Sequence, residues 1–271
     1  MLGYVHDRTI RIWAQVFGRP ACRRLNNYLV NLGVSGLGVG NPDSRCNGER
    51  RVLHEWLRRR GPAPVVWDVG ANEGDYTALA RQARPDARIY AFEPHPRTFA
   101  RLAARWTEQG IRCLPFALGA KPGTQALWDY ESTAQGSSHA TFYPATVRRE
   151  TGARLIPHEV QVCTIDEVAT VEAVVSIALL KLDVEGNELA CLEGAAGMLA
   201  QGRIAAIQFE FNSMHLDARV HMGDFAERLP GFTLYRVLPH GLLRLDFKNT
   251  LLTNLYRMQN IFAMRERNET V

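Results

Sequence analysis

Hydrophobic and polar positions change rhythm near residue 60. Before it, apolar and basic residues are mixed. Residues 1–40 carry Ile10, Ile12, Trp13, Val16 and Phe17 among Arg8, Arg11, Arg19, Arg23 and Arg24, a pattern that predicts one or two short helices. Residues 34–42 are Gly-rich and read as a loop. Residues 50–60 predict a helix with Val52, Leu53, Trp56 and Leu57 on one face. Gly61-Pro62-Ala63-Pro64 ends it and marks a boundary. The chain is therefore read as an N-terminal helical cap or lid over 1–60 and an α/β domain over 61–271. For residues 1–40 the reading preferred is a cap packed on the core; a membrane-surface helix is the alternative.

After the boundary, short apolar runs alternate with amphipathic stretches. Strands are predicted at 65–69, 89–92, 111–118, 176–182, 204–211, 232–238 and 260–264. Helices are predicted at 75–84, from Pro96 to a Gly110 cap, through Leu189, Leu192, Ala196 and Leu199 to Gly202, and at 225–229. The opening β-α-β-α-β succession makes the fold class α/β with a parallel sheet. Residues 120–163 break the rhythm. There, 125–130 and 159–163 predict a hairpin around the polar run 132–139, and long polar excursions of this kind are often functional loops.

The first strand ends in Asp68 and runs into Gly70-Ala71-Asn72-Glu73-Gly74 before a helix begins. Strand, glycine turn and helix form the first unit of a nucleotide-binding domain. The turn is not G-x-G-x-x-G. A dinucleotide needs N–H groups aimed at a pyrophosphate. S-adenosylmethionine (SAM) has no phosphate but carries a sulfonium and an amine, which suit an acid beside the turn. Glu93 follows Gly74 by 19 residues, near the spacing at which an acid binds ribose hydroxyls. Asp183 with Glu185, and Glu210 with Asn212, end two further predicted strands, so four polar elements should share one edge of the sheet. An NAD(P)-dependent oxidoreductase on a similar sheet is the alternative, and a non-catalytic SAM-binding protein a third reading.

Composition adds exclusions. Residues 1–60 hold 11 Arg and 4 acids; the remainder is net −3. The α/β part is not basic, which argues against a nucleic-acid track across it. Five cysteines without a C-x-x-C pair indicate neither a disulfide framework nor a zinc site and fit a reducing, cytoplasmic location. No apolar run reaches 18 residues, and Arg8 and Arg11 interrupt any leader-like segment, so neither a transmembrane helix nor a signal peptide is predicted.

Three stretches resemble the FkbM family of SAM-dependent methyltransferases: Val66-Trp67-Asp68-Val69-Gly70-Ala71-Asn72-Glu73-Gly74-Asp75-Tyr76, Ala91-Phe92-Glu93-Pro94-His95-Pro96 and Lys181-Leu182-Asp183-Val184-Glu185-Gly186-Asn187-Glu188. Cys163-Thr164-Ile165-Asp166 resembles the family's Thr-Leu-Asp step. The likeness covers about 45–264. It implies a Rossmann-like class I methyltransferase fold, with a seven-stranded, mostly parallel sheet and helices on both faces, to which the residue pattern adds the N-terminal helical cap. It also implies O-methylation of a hydroxyl on a small natural product, sugar or glycan. Gly70, Ala71, Asn72 and Gly74 should line the methionine part of SAM beside Asp68. Glu93 with Pro94 should hold the ribose, and the 115–118 segment, including Ala117 and Leu118, should lie against adenine. Where the family often has Ser-Ser and an aliphatic residue, this chain has Ser137-Ser138-His139.

Methyl transfer to oxygen requires removal of a proton. Asp183, Glu185, His139 and His215 are the candidate bases. Asp183 is assigned to the reaction centre. Glu185 is assigned to holding the loop, since negative charge is stabilising at a helix N-terminus. An oxygen-ligand site for Mg²⁺ on Asp183, Glu185 and Glu210 is the alternative; no histidine pair lies nearby in sequence, and the site is read as metal-free.

Overall fold

The computed structural model describes residues 2–131, 136–137 and 139–265, with the backbone alone for residues 2–6. Residues 132–135 and 138 of the expected polar loop lie outside the described residues. Eleven strands are described: β1 (Val65–Val69), β2 (Arg88–Phe92), β3 (Arg112–Leu114), β4 (Ala117–Leu118), β5 (Gly123–Tyr130), β6 (Leu155–Cys163), β7 (Leu179–Leu182), β8 (Ala206–Phe211), β9 (Phe232–Leu238), β10 (Gly241–Arg244) and β11 (Gln259–Arg265). Eight form one sheet in the order β10-β9-β11-β8-β7-β1-β2-β3. The run from β8 to β3 is parallel, and β11 is antiparallel to both β8 and β9.

β1 reads as a continuous apolar run because helices cover both faces of the sheet. Trp67 and Val69 point into one layer with Phe92, Leu180, Leu182 and Phe209. Val66 points into the other, with Ile89, Leu102 and Leu179. The helix Glu49–Arg58 belongs to this second layer through Val52, Leu53 and Leu57. β1 pairs with β2 on one side and β7 on the other. The chain order therefore reverses at β1, and a crevice opens beyond the carboxyl ends of β1, β2 and β7.

Four expectations change. The single strand expected over 111–118 divides at Pro115-Phe116. Proline has no N–H to donate to a ladder, and after it β4 leaves the main sheet to pair with β6. β4, β6 and β5 form a separate three-stranded sheet, which contains the expected hairpin. The helix expected from Leu189 to Leu199 is two, Glu188–Glu193 and Ala196–Ala200. They break where Gly194 approaches the Gly119 carbonyl so closely that a Cβ would lie 2.1 Å from its oxygen. Asp166 accepts the free Gly197 and Met198 N–H groups of the second helix at 2.7 and 2.9 Å. The main sheet has an eighth strand, β10, whose four residues are too few to show a period. Finally, residues 7–36 of the helices Leu2–Phe17 and Arg23–Gly36 bury no side chain, so the packing expected of residues 1–40 begins only at Val39.

Asp166→Ala should lower stability by about 1–2 kcal/mol in urea unfolding, the usual cost of a lost N-terminal cap, with SAM affinity unchanged.

Candidate active site

The turn after β1 is built by backbone constraints. Gly70, Asn72 and Gly74 all have positive φ, at 79°, 49° and 85°. At Gly70 a Cβ would lie 1.8 Å from the Asp183 carbonyl oxygen, so only glycine lets the turn meet the end of β7. Gly70 and Ala71 donate their N–H groups to the Phe92 carbonyl at 3.0 and 2.9 Å. Gly74 faces away from the crevice: a Cβ there would sit 2.2 Å from Trp106 Nε1. Glycine there lets Trp106 pack against the turn.

Glu93 is buried and accepts hydrogen bonds from the Asn72 and His95 N–H groups at 3.0 and 2.8 Å. Burial pushes its carboxyl up to about 7 against those two donors. Glu93 and Pro94 line a cleft with Val69, Asn72, Phe116, Ala117 and Leu118. The small sheet closes the cleft with Leu127, Ala140 and Phe142. Asp129, which the sequence reading did not single out, holds this cover: it accepts from Ser137 N and Oγ at 2.9 and 2.5 Å.

On the other side of the turn, Asp68, Gly70, Ala71 and Asn72 line a cavity of ≈ 540 Å³ together with Glu49, Tyr76 and Lys181. Asp68 is buried and accepts from Thr77 Oγ1 at 2.6 Å; burial pushes its carboxyl up to about 6. Lys181, 2 % exposed, reaches Asp183 Oδ2 at 2.9 Å. Burial lowers the pKa of the ammonium, but Asp183, Glu49 and Asp68 outweigh it and hold the pKa above its ordinary value.

A third space, of ≈ 610 Å³, lies beyond the end of β7 and is lined by Asp183, Glu185, Glu210, Asn212, His139, Tyr130 and Arg257. Strand alternation does not set Asp183 and Glu185, because β7 stops at Leu182. Glu185 sits at φ 52°, a conformation disfavoured for a residue with a side chain. The loop is held instead by Glu188, which accepts from Val184 N at 2.9 Å and Gly186 N at 3.0 Å. That corrects the loop-holding role expected of Glu185. Glu185 is left to meet His139 Nδ1 at 3.0 Å and Asn212 Nδ2 at 2.9 Å. This hydrogen bond raises the His139 pKa above its ordinary value. Burial, with Asp183 and Glu185 nearby, raises Glu210 well above the carboxylate range. His215 is fully buried, with Nε2 3.0 Å from Glu188 Oε2, and does not line this space. Among the described residues no group of three or more His, Cys, Asp or Glu side chains is arranged to hold a metal. Asp183 and Glu185 are already engaged by Lys181 and by His139 with Asn212.

Residues 68–232 match the family model described as the methyltransferase FkbM domain, which spans the turn, Glu93 and the Asp183–Glu188 loop. The chain belongs to the FkbM methyltransferase family. Over 218 residues it is 24% identical to the 2-O-methyltransferase NoeI of Sinorhizobium fredii, covering 76% of this chain and 86% of that protein. It is 30% identical over 156 residues to the hexuronic acid methyltransferase AglP of Haloferax volcanii (56% and 58% covered). It is 28% identical over 161 residues to the 31-O-demethyl-FK506 methyltransferase FkbM of Streptomyces tacrolimicus (49% and 60% covered). The chain thus spans less than two thirds of the latter two. As an FkbM methyltransferase it is an enzyme that uses SAM, and the oxidoreductase and non-catalytic readings fall away. Among the described residues no helix is long and apolar enough to cross a membrane.

Glu49, Tyr76 and Lys181 escaped the sequence reading as site residues. Lys181 had a signal, a lysine in an otherwise apolar strand; Glu49 had none, being brought in by a distant helix. In this FkbM methyltransferase Lys181→Met should cost about 3–5 kcal/mol near neutral pH, because it leaves buried acids unpaired. Those acids then hold their protons more tightly when folded than unfolded, so the deficit should grow as pH rises and shrink as it falls. Urea unfolding at two pH values measures it.

Proposed function

We propose that this enzyme transfers the methyl group of SAM to a hydroxyl oxygen of a sugar, glycan or other small natural product. The observation that carries this reading is the position of Asp183, which lines the apolar cleft, the polar cavity beside the turn and the ≈ 610 Å³ space alike. A donor and an acceptor entering from opposite sides would meet there. The residues fit SAM. Glu93 keeps lone pairs for two ribose hydroxyls after accepting two N–H groups. Phe116, Ala117 and Leu118 offer an apolar surface for adenine, and Asp68, Glu49 and Lys181 provide charges of both signs for the amino-acid end. SAM supplies an already activated methyl group, so the protein's task is to position the acceptor and take its proton.

His139 takes that proton in this reading. With its Nδ1–H donated to Glu185, Nε2 is the basic nitrogen. Lys181 Nζ fixes Asp183 through Oδ2 at 2.9 Å, and the carboxyl group so held orients the acceptor hydroxyl. Glu185, Glu210 and Asn212 present further polar groups to the remaining hydroxyls of a polyol. The relatives' names, which speak of 2-O-methylation, a hexuronic acid and 31-O-demethyl-FK506, support a hydroxyl-bearing acceptor. The five unpaired cysteines support a cytoplasmic site of action.

Two outcomes test this. By calorimetry, Glu93→Ala should weaken SAM binding by about 1–3 kcal/mol. In the intact protein affinity should rise with pH through about 7, because hydroxyl donors favour ionised Glu93; a flat pH profile in the intact protein removes Glu93 from the site. His139→Ala should lower kcat by about 10²–10⁴-fold. Protonated His139 cannot act as a base, so kcat should climb with pH through a midpoint above 6.5, and Glu185→Gln should move that midpoint down. An unmoved midpoint removes His139 as the base.

A further inference from the structure

The helices Leu2–Phe17 and Arg23–Gly36 form a pair joined by side chains. Trp13 Nε1 donates to Asn26 Oδ1, and Asn26 Nδ2 donates to the Phe17 carbonyl, both at 3.0 Å. Trp13 and Phe17 stack at 4.2 Å. The pair is amphipathic. Ile10, Trp13, Val16 and Phe17 share one arc of the first helix, with Arg8 and Arg11 on the other side. Leu25, Tyr28, Leu29 and Leu32 share one arc of the second, away from Arg23, Arg24, Asn27 and Asn31. The apolar arcs are open: Ile10 is 53% exposed, Tyr28 60% and Leu32 51%.

We propose that this helical pair docks on an anionic phospholipid bilayer. The apolar arcs would enter the boundary of the acyl chains and the arginines would meet headgroup phosphates. Charge selects this occupant. Residues 1–36 contain five Arg and one Asp. A second copy packed on the apolar arcs would leave these arginines in water without an anionic partner, whereas an anionic bilayer that takes up the arcs also places phosphates beside them. Neither helix spans the bilayer, so the attachment is peripheral. The pair is tied to the mouth of the acceptor space: Arg257 Nη1 donates to Asn31 Oδ1 at 2.9 Å, and Gly40 N donates to the Met258 carbonyl at 2.7 Å. Arg257 and Met258 both line that space. Docking would hold it beside the membrane, where lipid-borne hydroxyl acceptors lie. That last step rests on the function proposed above; docking itself does not.

The test is co-sedimentation of the full chain with phosphatidylcholine vesicles, with and without phosphatidylglycerol, at low and high salt. No methyl acceptor is involved, so the result is independent of catalysis. Binding should be at least ~tenfold stronger with the anionic lipid and should fall as salt rises. The double variant Trp13→Asp/Leu29→Asp should lose it while binding SAM normally, which shows that the α/β domain is folded. Equal pelleting with neutral vesicles, or none with either, overturns the proposal. So does a stable dimer in sedimentation velocity that the double variant dissolves, since a second copy then covers the face.

Discussion

One buried ammonium carries the charge balance of the crevice. Lys181 lies on the central strand β7 and faces Asp183, Asp68 and Glu49, which arrive from a strand end, a second strand and a remote helix. Each acid would be costly to bury alone. Together with Lys181 they make a polar floor that a sulfonium amino acid can share. Lys181 also fixes Asp183, 2.9 Å from its Nζ, where all three spaces meet. The glycine at position 70 serves the same junction, since any side chain there would strike the Asp183 carbonyl.

Much of the sheet could be read from the chain because its strands are buried on both faces and appear as uninterrupted apolar runs. β1 and β9 fall at the expected residues, and the strand-end acids gather on one edge as parallel topology requires. What could not be read depended on tertiary context. Pro115 sends β4 into a second sheet, and Gly194 breaks a helix because another segment's carbonyl lies against it. Glu185 and Glu188 are three residues apart and chemically alike; only the folded loop shows which one holds the backbone and which one turns to His139. Glu49 reaches the floor through a chain from Tyr76 to Gln208 to Glu49 that joins three distant parts of the sequence.

SAM use follows from family membership over residues 68–232. The proposed direction of transfer rests on geometry, with a covered apolar cleft on one side of Asp183 and a polar space on the other. The helical pair at the N-terminus is a separate device, tied by Arg257 and Gly40 to the rim of that space.

The most direct measurement is a crystal structure of the protein with S-adenosylhomocysteine. The account requires the ribose hydroxyls on Glu93, adenine against Phe116 to Leu118, and the sulfur beside Asp183 and facing the space that contains His139. A ribose held elsewhere, or a sulfur turned away from Asp183, would contradict it.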